Sequence, residues 1–420
     1  MLHAPVDDST TVTVRLWDQQ VAKAYAVSFD EFERANPDIE VEVTVVPWAD
    51  YFTLLRTDIA SGRIDDVFWA NAGNFEEYAR NGALRDISAL PGIDTGGWAP
   101  TVVEQYTLDG SLWGVPQLMD LGIGVLYNKE LLEGADVPVS EVERLTWDPA
   151  APDDSLRDVA ARLTIDTAGR TPDDPTFDPL RVERYGYSAS NDLNAITINF
   201  IGSNGGAWQR GDEFVFDSPE AVEAVRYVVD LINHDHIALP AADTNPPGGG
   251  EVALAQFLQG RLALLQTGAY NLVNVLDDAT FEWGVASLPT GPAGAVSVTK
   301  GIVAAASADS PHPAAQAKVL AWLGSAAGSR HIGETGSALP AVLGAQDAYF
   351  AFWNAEGVDL SPMTDVLHNG TVQAPRGARY AAAEQAYLPI FNEIYLGRRP
   401  VAEGLAAAAH AANAAVENSH

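Results

Sequence analysis

About 80 residues at the start of the chain alternate between short apolar segments and helical patterns, and this order restricts the possible folds. The predicted strands are Thr11–Trp17, Ile39–Val46 and Val67–Trp69. A helical pattern follows each of them, and the second and third patterns end at Gly62 and Gly82. Strand–helix units in series favour a parallel sheet covered by helices, so the sequence predicts an α/β protein.

A polar turn follows the third predicted strand and carries the first candidate binding residues. Trp69 ends this strand, and Asn71 and Asn74 lie in the turn. Open α/β sheets bind ligands at the carboxyl ends of their strands. An indole has a flat apolar face, and an amide both donates and accepts hydrogen bonds, so the pair suits a sugar ring. The alternative is that Trp69 belongs to the core and the asparagines only form the turn.

Charge and composition argue against several classes of function. The chain has 420 residues, with 24 basic and 57 acidic side chains and a formal net charge of −33, so binding to nucleic acid or an anionic membrane is not expected. It has no cysteine, which rules out disulfides, thiolate catalysis and cysteine-ligated metal. No apolar segment is long enough to span a bilayer. The first residues, up to Thr11, predict a flexible lead.

Two segments raise the question of a metal site, and neither predicts one. Asp173, Asp174 and Asp178 lie in a loop predicted over Asp166–Arg181, but their spacing does not match a calcium-binding loop. His234 and His236 follow a predicted helix, and a helix C-terminus favours cationic side chains without any metal. Phosphate-binding glycine motifs are also missing from the sequence. We therefore predict no metal and no cofactor.

Five segments, in order along the chain, match the pattern of one protein family. They are Phe29–Pro37 (FDEFERANP), Ser61–Leu84, Asp109–Glu130, Asp217–Ala224 (DSPEAVEA) and Gly268–Asn271. Together they resemble the extracytoplasmic sugar-binding proteins of ABC importers, the group that includes maltose-binding protein. The resemblance extends from Thr11 to Val416.

The resemblance implies a two-lobed, periplasmic-binding-protein-like fold with the ligand in the cleft between two α/β domains. Residues 1–118 and 302–328 would form the N-terminal lobe, and residues 119–297 and 329–420 the C-terminal lobe. Crossover strands would join the lobes near residues 118–121, 298–301 and 329–331, where a hinge motion is expected.

The resemblance also implies a set of sugar-binding residues and no catalytic residue. Aromatic side chains would cover the C–H faces of the sugar, and polar side chains would bond its hydroxyl groups. Ala72 and Gly73 replace polar residues of maltose-binding protein, so maltose itself is not predicted. The implied residues are Gln19, Gln20, Trp48, Trp69, Asn71, Asp120, Asn191, Trp208, Tyr270 and Arg376.

The expected function is that of a monomeric receptor that captures a neutral mono- or oligosaccharide and delivers it to membrane permease subunits. Its expected location is extracytoplasmic, either periplasmic or lipid-anchored, with the export signal absent from this sequence. Two alternatives stay open. A glycoside-active enzyme needs two carboxyl groups roughly 5–10 Å apart, and only Asp120 is predicted at the site. A receptor for a cationic solute would fit the acidity, but it needs several acids beside the aromatic residues.

Overall fold

A computed structural model describes residues 9–88, 90–151, 154–245 and 249–417. Residues 1–8, which form most of the predicted lead, lie outside these ranges. The lead was predicted to extend to Thr11, where the first strand was predicted to begin, but that strand already begins at Thr10. Within the described ranges, no helix combines the length and the apolar character needed to cross a bilayer.

The strands are short, and the longest have seven residues. In chain order they are β1 (Thr10–Leu16), β2 (Ile39–Val45), β3 (Val67–Asn71), β4 (Thr107–Leu108), β5 (Ser111–Leu112), β6 (Val115–Met119), β7 (Ile123–Asn128), β8 (Ile165–Asp166), β9 (Val182–Tyr187), β10 (Gln209–Arg210), β11 (Glu213–Phe214), β12 (Leu262–Gly268), β13 (Trp283–Ser287), β14 (Ser297–Thr299), β15 (Gly301–Ala306) and β16 (Thr371–Gln373).

The helices vary from a single turn to 17 residues. In chain order they are α1 (Gln19–Ala35), α2 (Trp48–Ser61), α3 (Phe75–Arg80), α4 (Pro100–Gln105), α5 (Lys129–Gly134), α6 (Val139–Val142), α7 (Ser155–Leu163), α8 (Ile198–Ser203), α9 (Pro219–Asn233), α10 (Ala241–Thr244), α11 (Gly249–Leu258), α12 (Leu272–Asp278), α13 (Pro313–Leu323), α14 (Ala326–Glu334), α15 (Gln346–Ala355), α16 (Ser361–Asn369), α17 (Tyr380–Tyr395) and α18 (Val401–Glu417). A π-helical turn, Leu193–Thr197, precedes α8.

The chain divides into two compact units, and the first is built on a five-stranded sheet. It contains the residues up to Met119, Lys300–Glu356 and Arg376–Ala378. The strand order is β2-β1-β3-β15-β6, with β1 parallel to β2 and β3 and with β15 antiparallel to both of its neighbours. The three predicted strand–helix units therefore form a parallel sheet, and the α/β class is confirmed.

The local chemistry of β1 and its flanking helices explains this arrangement. Val12, Val14 and Leu16 alternate along β1 and are fully buried, so they direct one face of the strand into the core. Asp18 caps α1, and Gly62 ends α2 in a left-handed conformation with φ of 66°. The first signal fixes where α1 begins after β1, and the second ends α2 before β3.

The second unit contains Asp120–Thr299, Gly357–Pro375 and the residues from Arg379 onward. Its sheet has the order β13-β7-β12-β9-β8. Strand β12 is parallel to β9 and antiparallel to β7, and β13 is also antiparallel to β7. As a result, the carboxyl ends of β9, β12 and β13 share one sheet edge with the amino end of β7.

The structure corrects the predicted division of the chain at its third crossover. Residues 329–356 belong to the first unit, although the family pattern placed them in the C-terminal lobe. Helix α14 runs unbroken through residues 329–331, and Ile332 is fully buried in the core of the first unit. Polar contacts help to hold α14 to α1: the Ser28 hydroxyl donates to Gly328 O over 2.7 Å, and Arg330 pairs with Glu31 over 2.7 Å. This packing leaves no crossover at that position.

The chain also passes from one unit to the other at Met119–Asp120 and at Thr299–Lys300. Further changes follow Glu356 and flank the short segment Arg376–Ala378.

Candidate functional site

One edge of the first unit's sheet collects predicted binding residues. Because β1, β2 and β3 are parallel, their carboxyl ends meet at this edge. Helix α1 begins just beyond β1, and α2 begins just beyond β2. The predicted residues on or next to this edge are Gln19, Gln20, Trp48, Trp69 and Asn71.

Five aromatic rings pack together at this edge, and we call them the aromatic cluster. Its members are Trp17, Trp48, Tyr51, Phe52 and Trp69. The Trp17 ring is central, with centroid distances of 5.2 Å to Trp48, 4.9 Å to Tyr51, 5.6 Å to Phe52 and 4.9 Å to Trp69. Most of these pairs meet edge to face, which is a favoured geometry for aromatic rings. Trp48 is 41% exposed, so the cluster offers an apolar surface to solvent.

Trp69 is a core residue in this structure, which corrects its predicted role as a stacking face. Its side chain is fully buried against Trp17 and Tyr25, and its backbone carbonyl accepts from the Tyr51 hydroxyl over 2.9 Å. The indole Nε1 donates to the Tyr25 hydroxyl over 3.1 Å, and that hydroxyl donates to Gln117 Oε1 over 2.5 Å. These contacts occupy both the ring surface and the indole N–H of Trp69, so Trp69 is the buried anchor of the cluster.

Trp17 and Phe52 belong to the exposed part of the cluster and were not predicted as binding residues. Both are half-buried. The alternation of side chains along β1 could have identified Trp17. Val12, Val14 and Leu16 point into the core, so residue 17 lies on the opposite face. Phe52 lies one turn after Trp48 on α2, with ring centroids 5.0 Å apart.

Polar groups flank the cluster where α1 begins. Asp18 Oδ1 accepts the backbone N–H groups of Gln20 and Val21 over 2.8 and 3.0 Å, so this carboxylate is a helix cap. Burial raises the pKa of Asp18, and the two N–H donors partly offset that effect. Gln19 is exposed in the first turn, whereas the side-chain oxygen of Gln20 accepts from Lys23 Nζ over 2.9 Å.

The turn after β3 is held by its own asparagines. Asn71 Oδ1 accepts both the backbone N–H and the side-chain amide of Asn74, over 3.1 and 2.8 Å. Asn71 is half-buried, and Asn74 is buried. The oxygen of Asn71 therefore shapes the turn, and its amide group is the part of the side chain suited to a ligand.

In the second unit, one sheet edge brings together three other predicted residues. Asp120 precedes β7, Asn191 follows β9, and Tyr270 follows β12. Since β7 is antiparallel to β12 and β12 is parallel to β9, all three lie at the same edge of this sheet.

Tyr270 folds back onto the end of β12. A Cβ atom at Gly268 would lie 2.2 Å from Tyr270 Cε1, so the ring occupies the space that a side chain at this position would need. Burial raises the pKa of the Tyr270 phenol, and the negative charges of Asp192 and Asp120 raise this pKa further. Hydrogen bonds to Thr267 and Gly268 act in the opposite direction and lower it. The phenol is therefore a neutral hydroxyl next to two acids at this edge.

Asn191 and Trp208 are buried by neighbouring side chains, so they are less available for contact with a sugar than the resemblance implied. The Asn191 amide donates to Asn392 Oδ1 over 2.8 Å and is buried against α17. Trp208 is 4% exposed and packs against Phe216, Tyr387 and Phe391, at centroid distances of 4.3, 5.4 and 5.3 Å. Trp208 is thus a core residue of the second unit, which corrects its predicted role as a sugar-facing aromatic.

Arg376 is exposed and lies in a segment that packs with the first unit, whereas the family pattern placed it in the C-terminal lobe.

Among the described side chains, no group of three or more His, Asp or Glu residues is arranged to hold a metal ion. In the loop predicted over Asp166–Arg181, Asp166 accepts hydrogen bonds from Arg170 Nε over 2.7 Å and from the backbone N–H of Ala168 over 2.8 Å. An ion pair and turn hydrogen bonds therefore organise this loop.

The chain is similar to a known protein family and to solved structures. Residues 17–329 match the family described as bacterial extracellular solute-binding protein. A crystal structure of UspC from M. tuberculosis is 50% identical, covers 97% of this chain and 100% of that chain, and gives a TM-score of 0.74. A Listeria monocytogenes ABC substrate-binding protein, Lmo0181, solved with cycloalternan, is 21% identical with a TM-score of 0.82, covering 97% of this chain and 99% of that one.

Curated relatives match over shorter segments. The lactose-binding protein of Rhizobium radiobacter is 30% identical over 147 residues, which is 33% of each chain. This chain spans 59% of the length of the Brucella binding proteins that it matches. The family match covers most of the chain, and it confirms the resemblance drawn from the five sequence segments. The chain therefore belongs to the family of bacterial extracellular solute-binding proteins.

Proposed function

We propose that this protein is the substrate-binding component of an ABC importer and that its ligand is a neutral mono- or oligosaccharide. The observation that carries the proposal is the aromatic cluster, whose exposed Trp48 lies at a sheet edge lined by amide side chains. Two of the similar proteins add support, since one is named as lactose-binding and the other was solved with cycloalternan.

The chemistry of the first unit's edge suits a sugar. Sugar rings have apolar C–H faces that pack on aromatic side chains, and Trp48, Trp17 and Phe52 supply such a surface. Gln19 and the amide group of Asn71 would bond the hydroxyl rim, because an amide both donates and accepts. Each buried ligand hydroxyl needs such a partner, since an unpaired one costs roughly 1–3 kcal/mol.

The edge of the second unit would contribute hydroxyl recognition more than apolar area. Asp120 would accept from sugar hydroxyls, and the neutral phenol of Tyr270 both donates and accepts. A neutral ligand is favoured over a cation, because the polar side chains around the aromatic cluster are mainly amides.

We further propose that the protein binds its sugar without cleaving it. Glycoside hydrolysis requires two carboxyl groups on opposite sides of the scissile bond. At the first unit's edge, Asp18 Oδ1 is occupied by the backbone N–H groups that it caps at the start of α1, so Asp18 is poorly placed to serve as the second carboxylate. The proposed role also includes an extracytoplasmic location, either periplasmic or lipid-anchored, a monomeric state and delivery to permease subunits.

Calorimetric titration with lactose, maltose, maltotriose and their monosaccharides tests the proposal. We expect at least one sugar to bind, and Trp48→Ala to weaken it by roughly 1–3 kcal/mol because stacked apolar area is lost. Leu54→Ala is the matched control, since Leu54 is also on α2 and is 45% exposed but lies outside the cluster.

Two results would count against the proposal. One is a complete lack of binding across the sugar panel, with the protein folded. The other is equal affinity in wild type and Trp48→Ala, which would move the ligand away from the cluster. Release of shorter sugars from a bound oligosaccharide, lost in Asp120→Asn, would replace the receptor with an enzyme.

A further inference from the structure

An open groove of about 600 Å³ lies on the second unit, at the sheet edge opposite to the one that holds Tyr270. Its walls come from the start of β9, the end of β8 and the turn that leads into β12. Strand β12 has seven residues, so at roughly 3.3 Å per residue the groove is on the order of 20 Å from Tyr270 along the strand. The groove is therefore separate from the residues proposed to bind sugar.

Arg184 lines this groove without carboxylate partners of the kind that Arg15 and Arg157 have. Arg15 lies between Asp58 and Asp65, with N–O distances of 2.7 and 2.5 Å. Arg157 lies between Asp154 and Asp235, at 3.2 and 3.0 Å. Arg184 is also half-buried, yet in the part of the chain that the structure describes no carboxylate comes within 4.0 Å of its guanidinium nitrogens.

Among the described residues, one side-chain hydrogen bond positions Arg184: its Nε donates to the Leu163 carbonyl over 2.9 Å. Burial lowers the pKa of Arg184, and the neighbouring charge of Glu183 offsets only part of that effect. A half-buried cation without a counter-charge within ion-pair distance is unfavourable. The remaining guanidinium N–H groups are donors suited to an oxyanion.

Other donors line the same groove. Arg261 lies at the turn before β12 and is exposed, and Thr167 adds a hydroxyl. Glu183 is the acid on the wall, so the lining holds two arginines against one carboxylate. Pairs of arginines with a nearby hydroxyl match the geometry of carboxylate and phosphate oxygens.

We propose that this groove is a second ligand site, which binds a small oxyanion, a phosphate or a carboxylate, through Arg184 and Arg261. The site is independent of the sugar, since its residues lie at the opposite end of the sheet. The bound oxyanion supplies the counter-charge that the fold does not provide to Arg184.

Calorimetry with inorganic phosphate and with citrate, at constant ionic strength set by chloride, tests this site on the full chain. We expect saturable binding of phosphate, citrate or both, and a loss of affinity of roughly ten- to a hundredfold in Arg184→Gln and in Arg261→Gln. Binding of phosphate alone assigns a phosphoryl ligand, and binding of citrate alone assigns a carboxylate. Arg210→Gln is the matched control, because Arg210 is exposed on β10 of the same unit and does not line the groove.

The proposal is wrong if neither anion binds the wild-type protein. It is also wrong if Arg210→Gln weakens binding as much as the groove variants do, since that result indicates a general charge effect. Should Arg184→Gln fail to fold, Arg261→Gln decides alone, because the Arg261 side chain is exposed and its replacement leaves the core unchanged.

Discussion

The two sheet edges that hold the predicted binding residues present their aromatic side chains in different ways. In the first unit, Trp48 is exposed on top of a cluster that is anchored by the buried Trp69. In the second unit, Tyr270 folds back over Gly268 and lies near Asp120 and Asp192. The first edge therefore supplies apolar area and the second supplies a hydroxyl and negative charge. An aromatic residue at a strand exit does not by itself indicate a stacking surface.

The largest effect is expected where the anchor of the first edge is removed. Trp69→Ala should lower the free energy of unfolding by about 3–5 kcal/mol, because it leaves a large cavity and takes a hydrogen bond from the Tyr25 hydroxyl. Trp48→Ala, on the same edge, should change it by only about 0.5 kcal/mol, since the side chain is 41% exposed.

Urea unfolding followed by circular dichroism measures both variants. If Trp48→Ala were as destabilising as Trp69→Ala, the exposed ring would be part of the core, and the contrast between anchor and surface would fail. If Trp69→Ala were stable but unable to bind sugar, Trp69 would be a ligand-facing residue after all.

The second edge can be tested at Gly268. An added methyl group in Gly268→Ala would lie 2.2 Å from Tyr270 Cε1 and 2.7 Å from Cδ1, so the ring must leave its position. We expect a loss of roughly 1–3 kcal/mol in stability and weaker sugar binding, because overpacking shifts the phenol away from its acidic neighbours. Gly260→Ala is not a clean control since its φ of 69° strains any side chain, whereas Gly134→Ala meets open space.

Thermal unfolding and calorimetry of Gly268→Ala and Gly134→Ala give the comparison. Unchanged stability and affinity in Gly268→Ala would mean that Tyr270 moves freely, and the folded-back arrangement would not matter for binding.

Local patterns in the sequence were sufficient for the first unit's parallel strands. The alternation of Val12, Val14 and Leu16 predicted β1 to within one residue at each end, and Gly62 predicted the end of α2. Asp-Gly is a common pair at hairpin turns, and Asp109 and Gly110, between β4 and β5, both have positive φ, 54° and 85°. These features depend on neighbours in sequence, so they are visible without the fold.

The burial of individual aromatic residues was not visible, because it depends on distant partners. Trp208 is covered by Tyr387 and Phe391 of α17, which are more than 170 residues away. Trp69 is covered by Trp17 and Tyr25, and nothing in the run Val67–Trp69 distinguishes a buried indole from one at the rim. The placement of Arg376 with the first unit depends in the same way on long-range packing.

The smallest effect concerns Asp18, the acid at the aromatic edge. Burial raises its pKa in the folded state above the value of about 3.9 in the unfolded chain. The folded state therefore holds the proton more tightly, so the stabilisation from Asp18 is complete below about pH 3.9 and is lost as pH rises through the folded pKa. Asn is an equally good helix cap and does not titrate, so Asp18→Asn should keep α1 capped and remove this loss. Relative to wild type, the variant should gain stability as pH rises above about 4, by less than roughly 1 kcal/mol because Asp18 is only half-buried by the surrounding chain. Urea unfolding across that pH range measures the difference, and a relative gain by the wild type as pH rises would show that the ionised carboxylate stabilises this edge.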